Sequence, residues 1–103
     1  MQTWQPYQSA QFSGLISVPQ QQPVSGVIVL LHGVGANEQS LCSVGEYLAT
    51  GHLVISLRAP LNLGTNAYGW FQVQFTANGP VHNWPQALSS LQLLEKELSD
   101  ISL

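Results

Sequence analysis

The chain is 103 residues long and 45% hydrophobic, the size and apolar content of one globular domain or of part of one. Charged residues make up only 7% of it, against roughly a quarter in ordinary soluble domains, so Gln, Asn, Ser and Thr must carry most of its hydration. Its two basic residues, Arg58 and Lys96, and its net charge of -3 exclude the clustered positive surface that neutralises phosphates, so no nucleic-acid partner is expected.

Met1 to Ala10 is a polar run and not a basic stretch leading into an apolar one, which argues against a secretory leader. The single cysteine, Cys42, rules out an internal disulfide framework, and together these favour the cytoplasm. From Phe12 to Val18, the residues Phe12, Gly14, Ile16 and Val18 alternate with Ser13, Leu15 and Ser17, which predicts a strand covered on one face and lying near a sheet edge. Pro19 to Pro23 is a polar turn bracketed by prolines. Val24 to Leu31 is continuously apolar and β-branched in its second half, the pattern of a central parallel strand buried on both faces. Its apolar run, Val27 to Leu31, is far short of the ~20 residues that cross a bilayer, so no transmembrane segment is expected.

The turn His32-Gly33-Val34-Gly35-Ala36-Asn37 follows, and Leu41, Val44, Tyr47 and Leu48 then recur at helical spacing, predicting a helix over Glu38 to Thr50 closed by Gly51. His52 to Leu57 reads as the next strand, and the order strand, helix, strand makes the class α/β. Arg58 to Pro85 scatters prolines, glycines and asparagines among aromatics without a sustained period, which predicts a long loop. Pro85 suits the first turn of a second helix, with Ala87, Leu88, Leu91, Leu94 and Leu98 as its apolar face. Neither a repeat nor a linker divides residues 1–103, which read as one partial domain.

Val27-Ile28-Val29-Leu30-Leu31-His32-Gly33-Val34-Gly35-Ala36-Asn37-Glu38 resembles the phospholipase/carboxylesterase family of α/β-hydrolases, relatives of the acyl-protein thioesterases, whose third strand ends in a Leu-His-Gly-x-Gly turn. Arg58-Ala59-Pro60, Tyr68-Gly69-Trp70-Phe71 and the Pro85 helix look like that family's fourth strand end, aromatic loop and second helix, in the right order. The resemblance implies the N-terminal half of an α/β-hydrolase fold, with about three strands in a mostly parallel sheet and two helices. It further implies a serine carboxylic-ester hydrolase, with an ester or thioester as substrate.

The chemistry of the turn can be stated on its own terms. Ester hydrolysis places negative charge on the carbonyl oxygen, and preorganised backbone N–H groups stabilise it. By resemblance, the Val34 N–H is the oxyanion donor, with Gly33 and Gly35 letting the backbone approach closely. Tyr68, Trp70, Phe71 and Phe75, on a loop beyond the strand ends where ligands bind, are candidates to line an acyl groove. The plainer readings are a strand-to-helix turn, for which glycines are common, and aromatics that pack under a loop. His32 reads as a support for the turn and not as a catalytic base. A dinucleotide site would need a third glycine that Ser40 to Val44 does not supply. Three histidines without close His, Cys or Asp partners predict no metal site, and no cofactor is implied.

The G-x-S-x-G nucleophile turn occurs nowhere in these residues, and the resemblance puts the catalytic Ser, Asp and His beyond the part covered here. Glu38, Glu46, Glu95, Glu97 and Asp100 lie on or beside the predicted helices and are expected on solvated faces. The expectation is therefore an oxyanion turn without its nucleophile, inactive alone, whose strand Val24 to Leu31 has an open edge for a second copy or a C-terminal half. The alternative is a non-catalytic binding or assembly module that uses that edge.

Overall fold

The computed structural model describes residues 3–20, 24–48 and 51–101. Part of the polar turn at Pro19 to Pro23 and the end of the helix predicted over Glu38 to Thr50 lie outside these residues.

Four strands form the main sheet: β1 (Trp4–Gln8), β2 (Ser13–Ser17), β3 (Gly26–Leu31) and β4 (His52–Leu57), in the order β1-β2-β4-β3. β4 carries Leu53, Val54, Ile55 and Leu57 and sits inside the sheet, where such residues pack on both faces. It pairs in parallel with β3, from Gly26 opposite His52 to Leu31 opposite Leu57, and antiparallel with β2. A short helix, α1 (Cys42–Leu48), links the parallel pair. β2 comes so close to β4 that a Cβ at Gly14 would lie 2.1 Å from the Ser56 carbonyl oxygen, so only glycine fits there.

After β4 the chain turns to hairpins. β5 (Leu61–Gly64) pairs with β6 (Ala67–Gly69), and β7 (Val73–Thr76) with β8 (Gly79–His82), each as a separate two-stranded antiparallel sheet. Asn66, at φ 54°, and Gly79, at φ 108°, supply the left-handed backbone their turns require. The final helix, α2 (Trp84–Asp100), opens with the Asn83 side chain accepting from the Gln86 N–H at 3.1 Å.

These pairings correct the predicted fold class. Among the described residues there are eight strands in three small sheets, antiparallel or mixed, and two helices, not a mostly parallel sheet. One strand pairing of five is parallel. The physical reason is that β2 adds antiparallel to β4 and β1 antiparallel to β2, and the residues read as a loop after β4 satisfy their polar groups in two local hairpins. The strand expected near an edge, β2, is flanked on both sides because β1 takes the edge. Among the described residues, the strand expected at the centre, β3, ends the sheet and pairs with β4 alone. The two edges differ: β1 carries Pro6 at its middle, whereas β3 has neither proline nor charge.

Alternation along the strands divides the core between the sheet's two faces. Leu30, Val54, Ile28 and Trp4 pack with Leu41 beside α1. Phe12, Ile55 and Leu57 pack with Leu93, Leu94 and Ile101 at the other face. α2 thus buries only part of the predicted face, Leu94 packing on this core and Ala87 half-buried. It buries Ser90 and Glu97 and leaves Leu88, Leu91 and Leu98 exposed. Glu97, only 1% exposed, accepts from the Ser9 hydroxyl at 2.7 Å and from the Tyr7 hydroxyl, which ties the end of α2 to β1. A buried acid must be bonded, and these two hydroxyls, together with Leu93 and Leu94 on the core, set how the helix is rotated.

Leu57 is 0% exposed and Leu91 49%, so in urea unfolding Leu57→Ala is expected to cost about 2–5 kcal/mol and Leu91→Ala under about 0.5 kcal/mol. Equal losses would turn α2 back onto its leucine face. Burial, with the hydrogen bond to Glu97 and its charge, pushes the Tyr7 hydroxyl from 10.0 up to about 12. A raised pKa stabilises the fold below the unfolded value and loses that contribution as pH rises, so stability should fall between pH 10.0 and about 12. Tyr7→Phe should flatten that part of the profile, measured as unfolding free energy against pH.

Candidate active site

β3 delivers the chain into a tight turn. The Ala36 N–H donates to the Gly33 carbonyl at 3.1 Å, and Gly35 has φ 88° while Val34 keeps an ordinary φ, the arrangement of a type II turn. Glycine is required at Gly35 by that backbone and at Gly33 by nothing in the protein, since a Cβ at either would meet nothing within 4 Å. The space above the turn is open.

The turn is held from below by the first hairpin, part of the segment read as a loop. Gly35 N–H donates to the Tyr68 carbonyl and Tyr68 N–H to the Ala36 carbonyl, both at 2.8 Å, a two-bond bridge onto β6. The Asn37 amide donates to the Asn66 carbonyl at 2.9 Å, and the Trp70 indole N–H to the His32 carbonyl at 2.8 Å. The Val34 N–H has no acceptor among the described residues, and Val34 is 42% exposed.

His32 is buried beneath the turn, its ring 5.8 Å from that of Trp70. Its Nδ1 lies 2.8 Å from the Gly33 carbonyl oxygen, which can only accept, and its Nε2 lies 3.0 Å from the Ala59 N–H, which can only donate. These partners assign a neutral ring with the proton on Nδ1.

Beside it, Glu38 is buried and not solvated as the sequence suggested. Its carboxylate accepts from Arg58 Nε at 2.9 and 3.0 Å and from Arg58 Nη2. Burial alone would push this carboxyl up. The Arg58 hydrogen bonds, the residue's own N–H and the guanidinium charge outweigh it and hold the group below its ordinary value. Arg58 also stands 4.5 Å over the Tyr68 ring, and the Ser56 hydroxyl donates to the Glu38 carbonyl at 2.6 Å. The start of the helical segment, the end of β4 and the first hairpin are thereby joined around the turn. Glu38 is drawn inward to this pair while 38–41 form a turn, so the regular helix begins only at Cys42.

The predicted site residues do not all share one task. Gly33, Val34 and Gly35 form the turn, and Trp70 supports it, its ring also 6.0 Å from Phe12 in the core. The Phe71 ring packs in a trio with His82 at 5.4 Å and Trp84 at 6.3 Å. Beside the turn, a Cβ at Gly69 would lie 3.3 Å from Val34 Cγ1, and Leu61, opposite Gly69 in the hairpin, borders an open cavity of about 340 Å³ walled also by Pro60, Pro85 and Leu93 and by the polar Gln86, Ser89 and Ser90. Burial, then the charges of Glu46 and Glu38, pushes the Cys42 thiol up, which does not suit a nucleophile. No helix among the described residues is long and apolar enough to cross a membrane.

Glu38, Arg58 and Ala59 were missed as site residues. One signal was available: Glu38 and Arg58 each follow the C-terminal end of one strand of a parallel pair, in a chain with two basic residues. No family model, no curated protein and no solved structure matches the chain.

A lowered carboxyl pKa contributes stability above the unfolded value of 4.5 and loses it as pH falls through the folded value. Unfolding free energy measured from pH 7 down to 3 should therefore drop below about 4.5 in the wild type. The drop should be shallower in Glu38→Gln, which starts from a lower stability at neutral pH. Parallel profiles would show that the pair contributes nothing.

Proposed function

We propose that the chain supplies the oxyanion turn of a serine carboxylic-ester hydrolase of the phospholipase/carboxylesterase family, acting on an ester or thioester. The observation that carries this reading is the outward, unpartnered Val34 N–H on a turn whose neighbouring carbonyls and N–H groups are bonded down to β6, Trp70 and His32. A backbone donor fixed before the reaction stabilises developing negative charge without having to reorganise. The motif order from Val27 to the Pro85 helix supports the family, and the open, mostly apolar cavity beside Leu61 suits an aliphatic acyl group. The serine, its base and the second oxyanion donor belong to residues outside this chain, which would join along β3. The single cysteine favours the cytoplasm.

The second reading, a non-catalytic assembly module, is favoured by one observation, the β3 edge, which no strand among the described residues pairs. Turnover of p-nitrophenyl esters separates the two. The 103-residue chain alone is expected to be inactive, and mixing it with a segment that carries a G-x-S-x-G serine should give hydrolysis. Replacing Val34 by proline, which removes the N–H, should then lower kcat about 10²–10³-fold. Serine-dependent hydrolysis by the chain alone, or full activity in Val34→Pro, would sink the proposal.

A further inference from the structure

We infer that His32 is a positioning residue that aims and strengthens the Val34 N–H through the Gly33–Val34 peptide, an inference that rests on the proposed role of Val34. In a planar trans peptide the C=O and N–H point in opposite directions. The Gly33 carbonyl takes two donors from the protein side, His32 Nδ1 at 2.8 Å and the Ala36 N–H at 3.1 Å. Holding the oxygen inward turns the Val34 N–H outward, over the open face of the turn.

The same bonds change the donor's strength. A hydrogen bond accepted by a peptide oxygen draws electron density from its nitrogen and makes the N–H a better donor, by on the order of 10–30% per bond. The Ala36 bond alone would close the turn, so a second donor on that oxygen is not needed for the backbone to reverse. His32 is equipped to be that donor and little else. The Ala59 N–H occupies Nε2 and keeps the ring from flipping, and the Trp70 indole fixes the His32 carbonyl. Burial at 3% exposure keeps bulk water from competing for the Nδ1 proton. With both nitrogens engaged, the ring cannot serve as a base for a substrate on the open side.

The test uses the isotopically labelled 103-residue chain and nuclear magnetic resonance. In the wild type, the ring nitrogen shifts should report the Nδ1–H tautomer, a measurement that needs no variant. His32→Asn places an amide nitrogen where Nδ1 stands and should retain the downfield Gly33 carbonyl carbon and Val34 amide proton shifts. His32→Gln places an amide oxygen toward Ala59; it should keep the Ala59 amide protected from exchange while both Gly33 and Val34 signals move upfield. The Nε2–H tautomer in the wild type, or equal Gly33 and Val34 shifts in the two variants, overturns the inference. Those shifts are read without any ester, so a failed hydrolysis assay removes the hydrolase reading and leaves this one standing or falling on its own spectra.

Discussion

The orientation of one peptide unit, Gly33–Val34, is the constraint around which the rest of the site is arranged. An exposed N–H left unbonded by its own protein is stable only because water satisfies it, and its direction is useful only if the backbone cannot relax to pair it elsewhere. Three devices prevent that relaxation. The left-handed Gly35 sets the turn, the bridge between Ala36 and Tyr68 anchors it to β6, and His32 fills the space beneath. The hairpin β5–β6, built from residues with no core of their own, exists in this chain as the platform for those contacts.

A second theme is how a chain so poor in charge uses the charge it has. Of its two basic residues, Arg58 is committed to a buried acid and Lys96 to Asp100 on the surface of α2. A forked guanidinium against a buried carboxylate is costly to desolvate and costly to break, so such a pair specifies a geometry more than it stabilises one. Here it fixes how the segment after the turn meets the end of β4. Glu97 has no cation and relies on two hydroxyls, and its burial, together with Leu93 and Leu94 on the core, sets α2 so that Leu88, Leu91 and Leu98 face water. In both places polar groups, fewer than apolar ones, help decide the arrangement.

That preference explains what could be read from the sequence and what could not. β3, β4 and α2 stood out because each has a period or an apolar run longer than chance, and His52–Leu57 coincides with β4. The turn between β3 and α1 was legible from its glycines, and His32 from its place beside them. β1 was not, because glutamines and a proline hide its alternation. The two hairpins were obscured by their brevity, although Val73-Gln74-Phe75-Thr76 alternates and Asn78-Gly79 marks a turn. The parallel fold class failed for the same reason, since it counted only the strands with strong apolar signals. α2 was located, but of its predicted face Leu94 packs inward while Leu88, Leu91 and Leu98 face out. Helical periodicity identifies an apolar stripe, and a buried carboxylate bonded across 88 and 90 residues leaves no trace in it.

The unlike edges of the main sheet give the molecule a valence. Pro6 leaves β1 without a donor at its centre, while β3 offers an uninterrupted ladder. A strand taken up by β3 satisfies the competent edge and leaves the blunt one outermost. If that strand is the β3 of another copy, the enlarged sheet is blunt at both ends. Addition then terminates after one step, and a sheet that would otherwise seed open-ended fibres closes on a single partner.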